Sequence, residues 1–441
     1  MEIKVKFTDD YIVGNGGLAL AGHLIRKTDF IRNINQINLS EAPNPEIKHS
    51  DVAISFIGLL CQAKNDFDHI EAYRDDKFYK KAMRIDRVPS SATLRQRMDA
   101  ADGEFRDVIL EGNAKMIQKG APCMTLCSTG HLVLDIDVSP FDNSNSKKEG
   151  VSWTYKKVDG YAPIFSYLGN EGYCVNLQLR EGSTHCQYQT EIYLAETLRL
   201  AKKITSQKLL VRMDSGNDSG SNITVMNTDG TKADYIIKRN IRRESKITWL
   251  ACAQEFGTLQ KGSREGKRVW VGSLMERAKG CAYDSRMVYC VTERTMTAAG
   301  QILMVPEIEV DAWWTSLKDT TEADIIRLYK EHGTSEQFHS EFKTDMDLER
   351  LPSGKFKTNA LVLELGMIAY NILRILGQES INTPGIPLRK KAKRRRLRTV
   401  IQNFITIAGK VVQHAGQLYF ALSKRDKWAP PWKSIYETVS A

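Results

Sequence analysis

Apolar positions recur at three-to-four spacing through Leu18–Arg26, Asp51–Asn65 and Phe67–Tyr73, after a short stretch that alternates like a strand from Ile3 to Phe7. That period predicts a mostly helical first region. In PSSATLRQRMDAAD, Ser90 and Ser91 stand where N-caps belong, and the helix they open is expected to turn Arg95 and Arg97 to solvent. Near Gly130 the period changes to two. In HLVLDIDVSPFD, Leu134, Ile136 and Val138 share one face of a strand, and Asp135 and Asp137 share the other. YAPIFSYLG and GYCVNLQLREG follow as two antiparallel strands around the turn-former Gly169-Asn170, then an amphipathic helix, Thr190–Ile204. KLLVRMDSGND reads as a short buried strand, Leu209 to Met213, that delivers Asp214 at its C-terminal end. ADYIIKRN is another strand. From about Lys246 to Glu309 the chain turns β-rich, and DAWWTSL closes that stretch as a strand that buries Trp313 or Trp314. Thr321 then caps a helix, followed by an apolar helix, Ala360–Leu376, and a last helix around Val400–Leu422.

These changes of period divide the chain into five parts. Residues 1–128 are a mostly helical region; 129–245 and 310–378 form one α/β core, interrupted by a β-rich insertion at 246–309; 379–441 is a basic helical region.

At 441 residues the chain can bury a large core. Its most apolar run, ALVLELGMIAYNILRILG, carries Glu364 and Arg374 and reads as a buried helix, so no membrane partner is expected. MEIKVKFTDD lacks a basic-then-apolar leader, and the eight cysteines form no CxxC pair; both fit a cytoplasmic location. Cys123, Cys127 and His131 lack an evident fourth ligand and read as ordinary core residues. The net charge of +10 is unevenly spread, with LRKKAKRRRLR packing eight basic residues, Arg394, Arg395 and Arg396 among them, into Leu388–Arg398. Such a run suggests a polyanion, and the basic helix at Arg95 and Arg97 points the same way, to DNA.

The helix after Thr321 carries the least ordinary pattern. In LYKEHGTSEQFHSEFK, Tyr329, His332, Glu336 and Lys343 fall three, four and seven apart, so one stripe holds an aromatic, an imidazole, a carboxylate and an amine. With Asp135 or Asp137 on a first strand and Asp214 ending a later one, the chain offers three carboxylates from distant sequence. Two hard cations about 4 Å apart, each taking one or two carboxylates plus phosphate and water, need such a set for phosphodiester displacement. Strand-Asp, strand-Asp, helix-Glu meets that need on an RNase H-like framework. Tyr329, His332 and Lys343 would then be donors to DNA phosphate.

Those residues match the Tyr-(2)-Arg-(3)-Glu-(6)-Lys spacing of the IS4-like DDE transposases, with His332 in the arginine position. Through LDIDVSPFD, LLVRMDSGNDS and YKEHGTSEQFHSEFK to LPSGKFKTNALVLELGMIAYNILR, the chain more closely resembles the IS1380 family. The resemblance implies an RNase H-like core with a β-rich insertion before the glutamate. It also implies cutting and joining of DNA at the ends of an insertion sequence with two Mg²⁺ ions, for which Mn²⁺ would substitute. Its triad would be Asp137, Asp214 and Glu336, with Asp137 preferred to Asp135 because the family's first aspartate is typically followed by a small hydroxyl residue, here Ser139 after Val138. Double-stranded DNA, as element ends and target, would be the partner, held by a homodimer or larger assembly. A nuclease of the same fold that cuts without joining uses the same carboxylates. A silent DNA-binding descendant would have no use for them beside phosphate.

Overall fold

The computed structural model describes residues 2–40, 45–261, 264–387 and 392–440. Its centre is LVLDIDV, Leu132–Val138 (β1), whose period of two is obeyed, with every side chain buried except that of Asp137, which is half-buried. Ile164–Leu168 (β2) lies antiparallel to β1, and Tyr173–Gln178 (β3) antiparallel to β2. The turn between them needs glycine at 172: its φ is +76°, and a Cβ there would sit 2.4 Å from the Phe338 ring. After the helix Thr190–Ile204 (α1), Leu209–Met213 (β4) runs parallel to β1 with Met213 opposite Ile136. Asp234–Lys238 (β5) runs parallel to β4.

Four further strands, Thr258–Leu259 (β6), Lys267–Arg277 (β7), Asp284–Met296 (β8) and Ile302–Thr315 (β9), form an antiparallel meander. It joins the core through Trp313–Thr315, which pair with Ile236–Lys238. The result is one nine-stranded mixed sheet in the order β6-β7-β8-β9-β5-β4-β1-β2-β3. Trp313 and Trp314 are both buried where that join is made. The expected boundary at 309/310 therefore falls inside one continuous strand.

The helical segment after Thr321 changes pitch three times: Glu322–Lys330 (α2), a 3₁₀ turn at Glu331–Thr334, Ser335–Ser340 (α3) and a π turn at Glu341–Asp345. Phe356–Asn382 (α4) then runs through the core against β3 and the helices His49–Leu60 and Arg106–Gly120. It is long and apolar enough to cross a membrane, but 94% of its apolar window is buried inside the protein. Its Glu364 is paired with Arg106 at 2.7 Å.

Several sequence expectations are corrected. Ile3, Val5 and Phe7 form no strand and are exposed; the first paired residues are Ile12 and Val13. Lys246–Phe256, expected to begin the β-rich stretch, is a helix capped by Ser245. Val400–Leu422 is not one helix. Only Leu397–Ile405 is helical, and Gly409–His414 and Gln417–Leu422 form a hairpin whose inner strand pairs with Ile12–Val13. Ala415 and Gly416, at φ of 52° and 76°, make its two-residue turn, and positive φ at both positions suits the strand twist. The helix Leu18–Arg26 also packs on the C-terminal helix Ala429–Ser440, so the two ends of the chain form one unit.

Candidate functional site

Parallel register carries Asp137 and Asp214 to the same level. Met213 faces Ile136, so the next residue on each strand is an aspartate, and both carboxylates open into one cleft of about 610 Å³. Tyr329, His332, Glu336 and Lys343 line that cleft too, so the stripe read from the sequence and both aspartates come together. Tyr155, Lys156, His339 and Ser340 join them. His339 was missed by sequence reasoning, although it follows His332 by seven and Glu336 by three and so continues the stripe. Tyr155 comes from a loop with no periodic signal; its hydroxyl donates to the Val138 carbonyl at 2.8 Å.

The two aspartates of β1 have different surroundings. Asp135 is 2% exposed and takes both arms of a buried ion pair, from Arg212 Nε at 2.6 Å and Nη2 at 2.7 Å, with His332 Nδ1 at 2.9 Å. Burial opposes its charge, but the Arg212 guanidinium and then His332 outweigh burial and hold it down at about 2. Arg212 also donates to the Leu328 carbonyl at 2.7 Å, bracing α2 against the sheet.

Asp137 has no arginine or lysine partner among the described residues. Its Oδ2 lies 3.3 Å from His339 Nε2, and its Oδ1 accepts from the Val138 amide at 2.8 Å. Burial holds the His339 imidazole below its usual range, hence neutral, and Nδ1 lies 3.2 Å from the Tyr167 hydroxyl. A hydroxyl proton on Nδ1 leaves Nε2–H to donate to Asp137. Asp214 accepts from Asn217 Nδ2 at 2.7 Å and takes part in no ion pair among the described residues. Burial, and then the charge of Asp137, push its carboxyl above the usual range. The two carboxylates thus face one cleft with like charge, Asp214 raised and Asp137 held by His339. Among the described residues no three Asp, Glu, His or Cys side chains come close enough together to hold an ion; Glu336 lines the cleft but is exposed and apart from the pair.

The raised Asp214 carboxyl has a sign for stability. A folded value above the unfolded one means that folding favours the proton, so stability is lost as pH rises through the folded value. In EDTA at neutral pH, Asp214→Asn is therefore expected to melt above wild type, by on the order of 1 kcal/mol, because strained sites give up stability. The gain should vanish in calorimetric scans below about pH 4, near the unfolded aspartate value.

The expected DNA contacts divide. Lys343 lines the cleft, donating to the Pro140 carbonyl at 2.6 Å, and Tyr329 stands between Trp313 and His332. His332 lines the cleft with a buried imidazole whose Nδ1 lies 2.9 Å from Asp135. Arg95 is exposed above the Phe67 ring, but Arg97 turns inward to the Ile47 carbonyl at 3.0 Å and His49 at 2.6 Å.

The basic run is the largest correction. Residues 388–391 lie outside the described residues. Beyond them, Arg394 donates to Glu341 at 2.6 Å and Gln337 at 2.9 Å, and Arg396 grips Asp345 at 2.8 Å. Arg395 is buried, over Trp428 and Phe404. Arg394 and Arg396 thus tie the chain to the segment Gln337–Asp345 that follows Glu336, while Arg395 packs elsewhere. Cys127 and His131 form no metal site, His131 being spent on Asp234 at 2.9 Å.

A mixed sheet thus brings Asp137 and Asp214 to one polar cleft beside the helix that bears Glu336, with Lys156, Lys330 and Lys343 also on its lining. The chain belongs to the family described as Transposase DDE domain group 1, which matches residues 1–441. Among solved structures it is similar to a piggyBac transposase in a synaptic complex with hairpin DNA, at 11% identity. The TM-score is 0.45 over 89% of this chain and 80% of that one, too distant to assign any residue a role. No curated protein matches the chain significantly.

Proposed function

We propose that the chain is a transposase that cuts DNA at the ends of its insertion sequence and joins the freed ends to a target, using Asp137, Asp214 and Glu336 on an RNase H-like core. The observation that carries this is the placement of Asp137 and Asp214 at the same level of adjacent parallel strands, opening with Glu336 into one cleft. The core reading is supported by strand order and direction: β3, β2 and β1 are antiparallel neighbours, and β4 and β5 run parallel to β1.

Divalent cations, Mg²⁺ in the cell, supply charge for the attacking and leaving oxygens when bound. Asp137, Asp214 and Glu336 would hold them. His339 keeps the Asp137 carboxylate ionised and oriented through Nε2–H. Lys343, pushed below its usual range mainly by burial, and Tyr329 face the cleft where DNA phosphate would lie. Two element ends must be held for joining, so the complex on DNA is at least a dimer.

Isothermal titration tests the ligand set. Mg²⁺ and Mn²⁺ should bind wild type in the micromolar-to-millimolar range, and Asp137→Asn or Asp214→Asn should weaken binding at least tenfold, since each site relies on one or two carboxylates. Equal heats in wild type and both variants would remove these aspartates from the metal site.

A further inference from the structure

A second groove lies apart from the cleft of Asp137 and Asp214. It lies where the two ends of the chain meet, between the helices Leu18–Arg26 and Lys77–Met83 on one side and the hairpin Gln417–Leu422 with the helix Ala429–Ser440 on the other, and holds about 720 Å³. Two features set its chemistry. Its floor is apolar, with Phe78 and Trp432 buried and Phe420 and Tyr436 half-buried in a chain of ring contacts at 5.2 to 5.6 Å between centroids, and Tyr419 stands 49% exposed at its edge. Its charges are all of one sign. Lys81, Arg84, Lys424 and Lys433 line it, and no aspartate or glutamate does.

Of those cations only Lys433 has an ion-pair partner among the described residues, Glu437 at 3.6 Å on the solvent side of its own helix. Arg84 sits in the left-handed region, at φ 57°, as the cap of Lys77–Met83. His23 also lines the groove, with Nε2 at 3.0 Å from the Tyr436 hydroxyl. Burial, and then the charges of Arg84, Arg26 and Lys27, push its imidazole down to about 4.

A groove with the exposed Tyr419 ring at its edge and Lys81, Arg84 and Lys424 unpaired among the described residues matches unpaired nucleotides: phosphates meet the cations, and a base face meets the tyrosine. Duplex DNA offers phosphates but keeps its base faces stacked, so it would leave the ring unused. We propose that this groove is a binding site for single-stranded DNA, separate from the acidic cleft. The proposal rests on the reading of the chain as an enzyme acting on DNA, whose cut ends can expose unpaired nucleotides.

The test is fluorescence anisotropy of a labelled dT octamer, and of a duplex of the same length, with the full-length protein in EDTA. Wild type is compared with Lys81→Ala/Arg84→Ala/Lys424→Ala, with Tyr419→Ala, and with Asp137→Asn as a cleft control. The octamer should bind wild type and Asp137→Asn equally. Tyr419→Ala should weaken it about five- to a hundredfold, the range for one stacked base. The triple variant should lower the log–log salt slope by about 2, from three lost contacts at about 0.7 each. Tyr419 and the three cations are on the surface side of the groove, and unchanged melting of the variants excludes misfolding. Octamer binding that is absent, or insensitive to both groove variants, overturns the proposal. So does duplex binding as tight as octamer binding with no effect of Tyr419→Ala, which would show a backbone patch without stacking. An acidic peptide that displaces the octamer without any DNA preference would point to a protein partner and also overturn it. Loss of DNA cleavage in Asp137→Asn with octamer binding intact separates this site from the cleft, so either reading can fail alone.

Discussion

Asp135→Ala is expected to destabilise the protein by about 3–5 kcal/mol, whereas Asp137→Asn should melt close to wild type. The two aspartates are one pleat apart on the same face of β1, and what separates them is their neighbours. Removing the Asp135 carboxylate leaves the Arg212 guanidinium, 1% exposed, without a counter-charge in the sheet, and frees His332 Nδ1. Desolvated charges that lose their partner cost several kcal/mol, where a surface pair would cost little. Because Asp135 is held at about 2 against an ordinary value of 3.8, its contribution is present above pH 4. It is lost only as pH falls toward 2. The penalty in Asp135→Ala should therefore be full at neutral pH and shrink in acid. Denaturant unfolding of both variants at pH 7 and pH 3 reads it directly. An Asp137→Asn protein less stable than Asp135→Ala would reverse the assignment.

Glu341→Ala should cost a similar amount, about 3–5 kcal/mol, through the second buried charge cluster. Glu341, 1% exposed, accepts from Arg374, which is fully buried on α4, from Arg394 at 2.6 Å and from the Leu397 amide at 3.3 Å. Truncation strands Arg374 in the core and releases Arg394 at once. Glu341→Gln keeps an acceptor and should lose less, while Arg394→Ala, at a half-buried position whose loss leaves Arg374 paired, should cost about 1 kcal/mol. Guanidinium titrations of the three variants test that order. Equal costs for Glu341→Ala and Arg394→Ala would mean that Arg374 does not depend on Glu341.

How much of this was legible follows the range of the physics. The strands β1 and β4, the helix Thr190–Ile204 and the caps at Ser90 and Thr321 come from local periods and local hydrogen bonds, and the sequence states them openly. Residue type and spacing point to Asp135 or Asp137, Asp214 and the Glu336 stripe, the family resemblance prefers Asp137, and Asp137, Asp214 and Glu336 line one cavity. What the sequence hides is pairing at long range. In the basic run, Arg394, Arg396 and Arg398 look like a free tail because their partners Glu341 and Asp345 lie some fifty residues earlier in the chain. The fold also places Asp135 at 2.9 Å from His332, 197 residues away. The C-terminal hairpin was a different miss: KVVQHAGQLYFAL alternates around Ala415-Gly416, and its helical reading overlooked a turn signal that was present.

The central claim is that this cleft cuts and joins DNA. The measurement that tests it most directly is a cleavage and strand-transfer assay on labelled DNA carrying the element's own ends, in Mg²⁺ and in EDTA. It is run with wild type, Asp137→Asn, Asp214→Asn and Glu336→Gln, each first shown to be folded. Joined products are expected with wild type in Mg²⁺ only, and each substitution should reduce them on the order of a thousandfold, since carboxylates that act as one unit fail together. Joining that persists in EDTA, or in Asp214→Asn, would contradict the claim, and cutting without joining would leave a nuclease in place of a transposase.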